Sequence, residues 1–359
     1  MALVLNEEQR LLKDTAREFL AERAPVEALR KLRDEHDPIG YDEKLWAAMA
    51  ELGWAGIVLP EEYGGLDFGF VGLGGILEEC GRNLTASPLL ASVVLGASAV
   101  LLGGSEAQKA KLLPAIATGE LTLALALEER NHHAPFSCAL SAQRSTEGWQ
   151  LQGKKTFVPD GHSADQLVVV ARTSGQAGER EGITLFLVDA SNKGVSRQRT
   201  LLIDSRNSAN IELSGVQLGD DAVIGEVDNG ADLLDAVLDR GRIAVAAEML
   251  GGCIEVFERT ISYLKEREQF GVQIGSFQAL KHRAAHLFSE IELSKSLVID
   301  ALLAIDENRD DLPRVASRVK AKLNEVFHLV SNEGVQMHGG IGVTDELEIG
   351  FFLKRARVL

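Results

Sequence analysis

Trp149-Gln-Leu-Gln-Gly-Lys-Lys-Thr-Phe-Val158 is the stretch on which the fold turns. It follows the turn-forming run Ser145-Thr-Glu-Gly148 and carries strand chemistry in the middle of a chain that is otherwise helical in pattern. Outward from it, shorter strands read at Leu121 to Leu127, Leu167 to Val170, Ile183 to Val188 and Ile211 to Leu213. Gly-rich or charged turns such as Ser174-Gly-Gln-Ala-Gly-Glu-Arg-Glu-Gly182 separate them. The strands succeed one another without the long helices that parallel crossovers need, so a compact β domain is expected and a doubly wound parallel sheet is not.

Both flanks are helical. Asn6 is placed to cap a helix whose first turn is Glu7-Glu8-Gln9 and whose apolar face carries Leu11, Leu12, Phe19 and Leu20. A second helix is expected around Glu43 to Leu52, stopped by Gly53, before the turn-rich Pro60-Glu-Glu-Tyr-Gly-Gly65. Others are expected from about Phe70 to Glu79, from Ser87 to Leu102 with Ser87 as cap and Pro88 first in the helix, and from Glu106 to Ala117. The helical period returns near Ala231 and breaks around Gly271 to Gly275, Asn308 to Pro313 and Gly339 to Gly342, which implies a bundle of about four helices. The expected fold is therefore α+β. A helical domain occupies 1–118, a barrel-like or sandwich-like β domain 119–228, and a four-helix bundle 229–359.

The 359 residues are 45% hydrophobic and 25% charged, an ordinary globular composition. A formal net charge of -16, from 37 basic and 53 acidic residues, argues against nucleic acid or an anionic membrane as a general electrostatic partner. Cys80, Cys138 and Cys253 form no CxxC, so neither a disulfide framework nor a zinc site is signalled and a reducing cytoplasm is expected. The opening Met1-Ala-Leu-Val-Leu-Asn-Glu-Glu8 lacks the pattern of a secretory leader, and no segment approaches the ~18 uncharged apolar residues of a membrane span.

Two segments invite a ligand. Lys265-Glu-Arg-Glu-Gln-Phe-Gly-Val-Gln-Ile-Gly275 sets a charged helix end against Phe270 and Gly271, and it reads equally as a capping glycine and connecting turn. Gln336-Met-His-Gly-Gly-Ile-Gly342 clusters glycines that let backbone approach a flat or phosphorylated ligand, or that form a hinge between helices. His282 and His286 share a helix face without the glutamate of an HExxH site, and His132-His133 reads as a solvated loop, so no metal is expected. His338 reads as structural or ligand-adjacent.

Together these segments resemble the acyl-CoA dehydrogenase family over essentially the whole chain. The resemblance rests on Pro60-Glu-Glu-Tyr-Gly-Gly65, Gly153-Lys-Lys-Thr-Phe-Val-Pro-Asp-Gly161, Arg267-Glu-Gln-Phe-Gly271 with Phe277-Gln278, and Gln336-Met-His-Gly-Gly340, in the family's order and approximate spacing. It implies FAD held between sheet and bundle and across a dimer interface. Arg267, Gln269 and Phe270 would meet the cofactor from a neighbouring subunit, Gln336, Gly339 and Gly340 would meet its diphosphate, and Phe157 would pack on the ring system. It also implies removal of the α proton of an acyl-CoA thioester by a carboxylate while the β hydrogen leaves as hydride, giving a trans-2-enoyl-CoA. Asp239 and Arg242 would lie on the substrate side. Electrons would pass to an electron-transfer flavoprotein or similar acceptor, and the chain would form a homodimer or tetramer, or mix with a related subunit.

The sequence departs from the family in three places. The glutamate expected on the first bundle helix falls on Gly241, and the sequence ends at Leu359 before the loop that carries it in other members, so no catalytic base is assigned. Glu248 lies about 10 Å further along that helix and Asp239 points roughly opposite. The family's Thr-Glu-Pro-Gly segment is replaced by Leu127-Glu-Glu-Arg130, and its Trp-x-Thr appears as Phe157-Val-Pro159, where Pro159 has no donor. Two alternatives follow: a catalytically degenerate FAD-binding subunit of a mixed oligomer, or a non-catalytic acyl-CoA-binding protein.

Overall fold

Asn6 accepts the Gln9 N–H at 2.8 Å while its own N–H donates to the Gln9 amide oxygen, and this reciprocal cap starts α1 (Glu7–Arg23) where the sequence placed it. Pro25 ends that run, and α2 (Val26–Asp34) begins again at once, burying Val26 and Leu29; the sequence reading had no helix there. Asp42 caps α3 (Glu43–Glu51), which stops at Gly53 in a left-handed conformation, φ 80°. After α4 (Gly69–Asn83) the expected helix from Ser87 does not form as one α-helix. Leu89–Gly96 is π-helical with no side-chain cap, and only then does α5 (Ala97–Gly103) follow. The Ser92 hydroxyl in this wider turn accepts the Leu123 N–H at 2.9 Å, tying the segment to the first strand. Ser105 and Gln108 form a capping box for α6 (Glu106–Ala117).

The strands are β1 (Leu123–Ala126), β2 (Ser141–Ser145), β3 (Gly148–Pro159), β4 (Gln166–Arg172), β5 (Ile183–Asp189), β6 (Val195–Leu201), β7 (Asn207–Leu218) and β8 (Val223–Ile224). Then come α7 (Ala231–Glu266), the two-residue strands β9 (Glu268–Gln269) and β10 (Val272–Gln273), α8 (Gln278–Asp306), α9 (Leu312–His338) and α10 (Ile349–Val358). The computed structural model of the chain describes residues 4–146 and 148–359. The expected turn at 145–148 therefore includes Glu147, and the expected leaderless start includes residues 1–3, which lie outside the described residues. Among the described residues no helix is long and apolar enough to cross a membrane.

The chain divides into two compact units. One comprises Glu35–Gly69 and Ser87–Gly241 and contains an eight-stranded sheet in the order β6-β7-β3-β2-β4-β5-β8, with β1 parallel to β4. Leu167 through Ala171 are fully buried, which is why β4 reads as an unbroken apolar run rather than an alternating one. Trp149 meets Phe186 edge-on, ring centroids 5.4 Å apart. The edge strands β6 and β8 do not pair with each other among the described residues, so of the two forms expected for the β domain the closed barrel is not the one adopted.

The other unit comprises Met1–Asp34, Phe70–Ala86 and Arg242–Leu359. Its helices approach unusually closely where α4 meets α7. A Cβ on Gly81 would lie 1.9 Å from the Glu248 carbonyl oxygen, and one on Gly251 would lie 1.8 Å from that of Glu78. Glycine on both helices is what lets the two backbones touch. The Asp306 carboxylate accepts the Phe70 and Val71 N–H groups at 2.6 and 3.0 Å, closing the start of α4.

Candidate functional site

In the bundle-bearing unit, the register Glu268↔Gln273 and Gln269↔Val272 leaves Phe270-Gly271 as a two-residue hairpin turn. Both residues have positive φ, 55° and 77°, the pattern of a type I′ turn. The Phe270 ring at its tip is 91% exposed. Arg267 is held by its backbone, its N–H donating to Tyr263 at 2.9 Å and its carbonyl accepting from Ile274 at 2.8 Å. Its exposed guanidinium has no partner among the described residues. The Gln269 amide donates to the Glu268 carbonyl at 2.8 Å.

α9 ends in the second predicted segment. Gly339 has φ 65° and ψ -142°, a region essentially closed to other residues. A Cβ on Gly339 or Gly340 would meet nothing within 4 Å, so it is backbone conformation and open approach, not packing, that these glycines provide. Gln336 is exposed at the same helix end. The His338 Nδ1–H donates to the Gly334 carbonyl at 2.7 Å, and its ring lies 4.5 Å from that of Tyr263. Tyr263 stands one turn before Arg267, so the ends of α7 and α9, far apart in sequence, adjoin. Burial holds the His338 imidazole below its ordinary pKa, and the nearby Arg259 charge acts in the same direction against the Gly334 hydrogen bond.

In the sheet-bearing unit, β3 bulges between Lys155 and Val158 where it pairs with β7, and Phe157 stands out of the bulge at φ 48°, 41% exposed. Pro159 pairs with Ser208 and offers no donor. Beside Phe157 lies a cleft of about 690 Å³ walled by Glu128, Arg130, His133, Leu202 and Asn210 among others. The Thr200 hydroxyl is buried at its edge without a partner among the described residues.

The two glutamates of the Leu127-Glu-Glu-Arg130 segment do different things. Glu129 turns inward and accepts from the fully buried Lys155 ammonium at 2.7 Å and from the Ala139 and Leu140 N–H groups. Burial alone would raise its carboxyl, but the Lys155 charge and these donors bring it below the usual range. Cys138 lies 3.5 Å from the same ammonium, and burial pushes its thiol up. Glu128 turns toward the cleft, where one carboxylate oxygen takes the His133 Nδ1 at 2.6 Å and the other the Ala134 N–H at 3.2 Å. This His133 pairing was missed in the sequence, which read His132-His133 as solvated loop; the contact depends on the path of that loop.

The candidate carboxylates on α7 are now placed. Glu248 is buried and receives both the Nε and a terminal nitrogen of the buried Arg355, at 2.9 and 2.8 Å. It is an internal counter-ion. Asp239 is 3% exposed and Arg242 is half-buried. At Gly241 a Cβ would lie 2.7 Å from Leu95 Cδ2, so a side chain there would first have to move Leu95. His282 and His286 are exposed on α8.

The residues present suit an FAD. A phosphate group needs a free guanidinium and close backbone approach, which Arg267 and the Gly339-Gly340 turn offer, the Gly339 N–H itself donating to the Gln336 carbonyl, and a flat ring needs an exposed aromatic, which Phe157 and Phe270 offer.

Comparison with known proteins bears on the same point. Residues 6–120 match the acyl-CoA dehydrogenase N-terminal domain, 124–216 the middle domain and 228–359 the C-terminal domain. Mitochondrial isovaleryl-CoA dehydrogenase from Pongo abelii is 30% identical over 99% of this chain and 85% of its own length. The structure of butyryl-CoA dehydrogenase from Megasphaera elsdenii aligns with a TM-score of 0.92 at 26% identity, covering 100% of this chain and 94% of that one. The ChsE4-ChsE5 complex from Mycobacterium tuberculosis aligns with a TM-score of 0.89 at 25% identity over 99% and 93%. The chain belongs to the acyl-CoA dehydrogenase family of FAD-dependent oxidoreductases.

Proposed function

We propose that this chain serves the FAD-dependent α,β-dehydrogenation of an acyl-CoA thioester to a trans-2-enoyl-CoA. The segments 1–118, 119–228 and 229–359 are then its functional divisions. The observation that carries the reading is the adjoining of the α7 and α9 ends through Tyr263 and His338, which brings an unpaired guanidinium and an open glycine turn to one end of the bundle.

When bound, FAD supplies the acceptor for the hydride that leaves the β carbon. Arg267 pairs with phosphate oxygens of an FAD shared with a neighbouring subunit, with Gln269 and Phe270 beside it. Gln336 and the Gly339-Gly340 backbone receive the diphosphate, and Phe157 covers a ring face. Asp239 and Arg242 serve the CoA side. The chain works as an oligomer of at least two subunits and passes electrons to an electron-transfer flavoprotein or a similar acceptor.

A second reading is favoured by two observations: Glu248 is consumed in an ion pair with Arg355, and a Cβ at Gly241 would lie 2.7 Å from Leu95 Cδ2. On this reading the chain is a non-catalytic FAD-binding subunit whose related partner brings the carboxylate, and the structural likeness to the ChsE4-ChsE5 complex is in keeping with it. Anaerobic addition of acyl-CoAs to the purified flavoprotein separates the two. Bleaching of the flavin absorption by the chain alone supports the first; bound flavin that bleaches only with a related second chain present supports the second. Protein that takes up no FAD contradicts both.

A further inference from the structure

We infer that His133, oriented by Glu128, is the base that removes the α proton of the thioester, a role for which Glu248, held by Arg355, is not free. The inference rests on the dehydrogenase reading above. Its geometric support is local to the sheet-bearing unit.

Glu128 lies two residues beyond the end of β1, and its carbonyl accepts the Thr156 N–H of β3 at 2.7 Å, so its backbone is fixed to the strand that carries Phe157. Its carboxylate is only 16% exposed and spans two donors, His133 Nδ1 at 2.6 Å and the Ala134 N–H at 3.2 Å. One bond holds the ring and the other holds the loop that bears it. A carboxylate at Nδ1 selects the tautomer with the proton on that nitrogen and leaves Nε2 with a lone pair. Nε2 has no partner among the described residues, and the His133 side chain, 54% exposed, lines the same cleft as Phe157. This is the arrangement of a base with its orienting group, beside the aromatic assigned to the cofactor. Among the described residues His132, next to it, has only a long contact to Asn131, 3.4 Å, and no carboxylate.

The step is a proton transfer. The Cα–H bond breaks, the proton passes to His133 Nε2, and the bonding pair moves into the thioester enolate. It can be read without any oxidation. In 3,3-dimethylbutanoyl-CoA the β carbon carries no hydrogen, so hydride loss is impossible and only exchange of the α hydrogens for deuterium remains.

The test uses the FAD-loaded protein, free of any second chain, in D2O with this thioester, and follows deuterium at Cα by mass spectrometry. The wild type should exchange well above buffer. His133→Ala should slow exchange by about 100-fold or more, with FAD content unchanged, and added imidazole should restore part of the rate. Glu128→Ala should slow exchange by about 10-fold, and Glu128→Asp should recover part of it, a rescue that a merely structural role would not show. A loaded wild type that exchanges no faster than buffer, or a His133→Ala variant that exchanges undiminished, overturns the assignment while leaving FAD binding intact. A protein that takes up no FAD overturns the dehydrogenase reading and this assignment with it.

Discussion

Phe157 and Phe270 hold φ of 48° and 55°, a backbone region that costs a bulky side chain about 1–3 kcal/mol. Phe270 is 91% exposed, so packing within its own chain does not offset that cost. Replacement by glycine separates strain from use. Phe157→Gly and Phe270→Gly should leave the melting temperature of the flavin-free protein unchanged or higher, and each should weaken FAD binding by up to about 10-fold in a fluorescence titration, the worth of one aromatic contact. The buried Glu248 and Arg355 pair makes the opposite case, a charged residue kept for structure. Glu248→Gln should lower the unfolding free energy by roughly 3 kcal/mol in denaturant, because it removes the opposite charge from a buried guanidinium. The double variant Glu248→Leu/Arg355→Met should recover much of that loss. Were Glu248 instead the base, the double variant would be stable and wholly unable to exchange an α proton.

At the scale of elements, the end of α9 is held by a histidine that burial keeps neutral. Its folded pKa is lowered, so its contribution to stability is complete above the unfolded value of about 6.5 and is lost as pH falls below it. Melting curves from pH 8 to 5 should therefore show the wild type losing temperature relative to His338→Gln as the medium is acidified; parallel curves would contradict this. Where α4 crosses α7, Gly251→Ala should be severely destabilising, since the added carbon meets a carbonyl oxygen. Most elements were legible because caps and periodicity agree, as at Asn6 for α1 and at Gly271 for the turn before α8. β2 and β6 were missed because they lack such signals, and α2 was missed although Val26, Leu29 and Leu32 recur at helical spacing. β6, Val-Ser-Arg-Gln-Arg-Thr-Leu, is an edge strand with no fully buried residue, and β2 is as polar, so neither shows a buried face in its sequence. The π-helical Leu89–Gly96 has the composition of an α-helix, and its tie through Ser92 to β1 is a tertiary contact that the local sequence does not show. Gly271 and Gly339 were visible because a positive φ favours glycine, and Arg267 through the family resemblance, whereas the Glu128 and His133 pair exists only once the loop is folded.

At the scale of the molecule, a net charge of -16 sits beside apolar side chains left exposed in the bundle-bearing unit, Val272, Phe288, Leu293 and Val343 among them. On the proposed reading of an oligomer, these side chains are available for burial between subunits. Light scattering should give a mass of at least two chains, and a monomer at micromolar concentration would remove the shared FAD site from the account. On the proposed reading, Arg267 is the group on which that shared site depends. The FAD content of the purified protein after reconstitution with excess cofactor therefore tests the central claim most directly. The wild type should hold about one FAD per chain in a homo-oligomer, and Arg267→Ala should bind it about 10- to 100-fold more weakly, the loss of a charge-assisted phosphate contact. A wild-type chain that forms its oligomer, accepts no FAD and is indistinguishable from Arg267→Ala would contradict it.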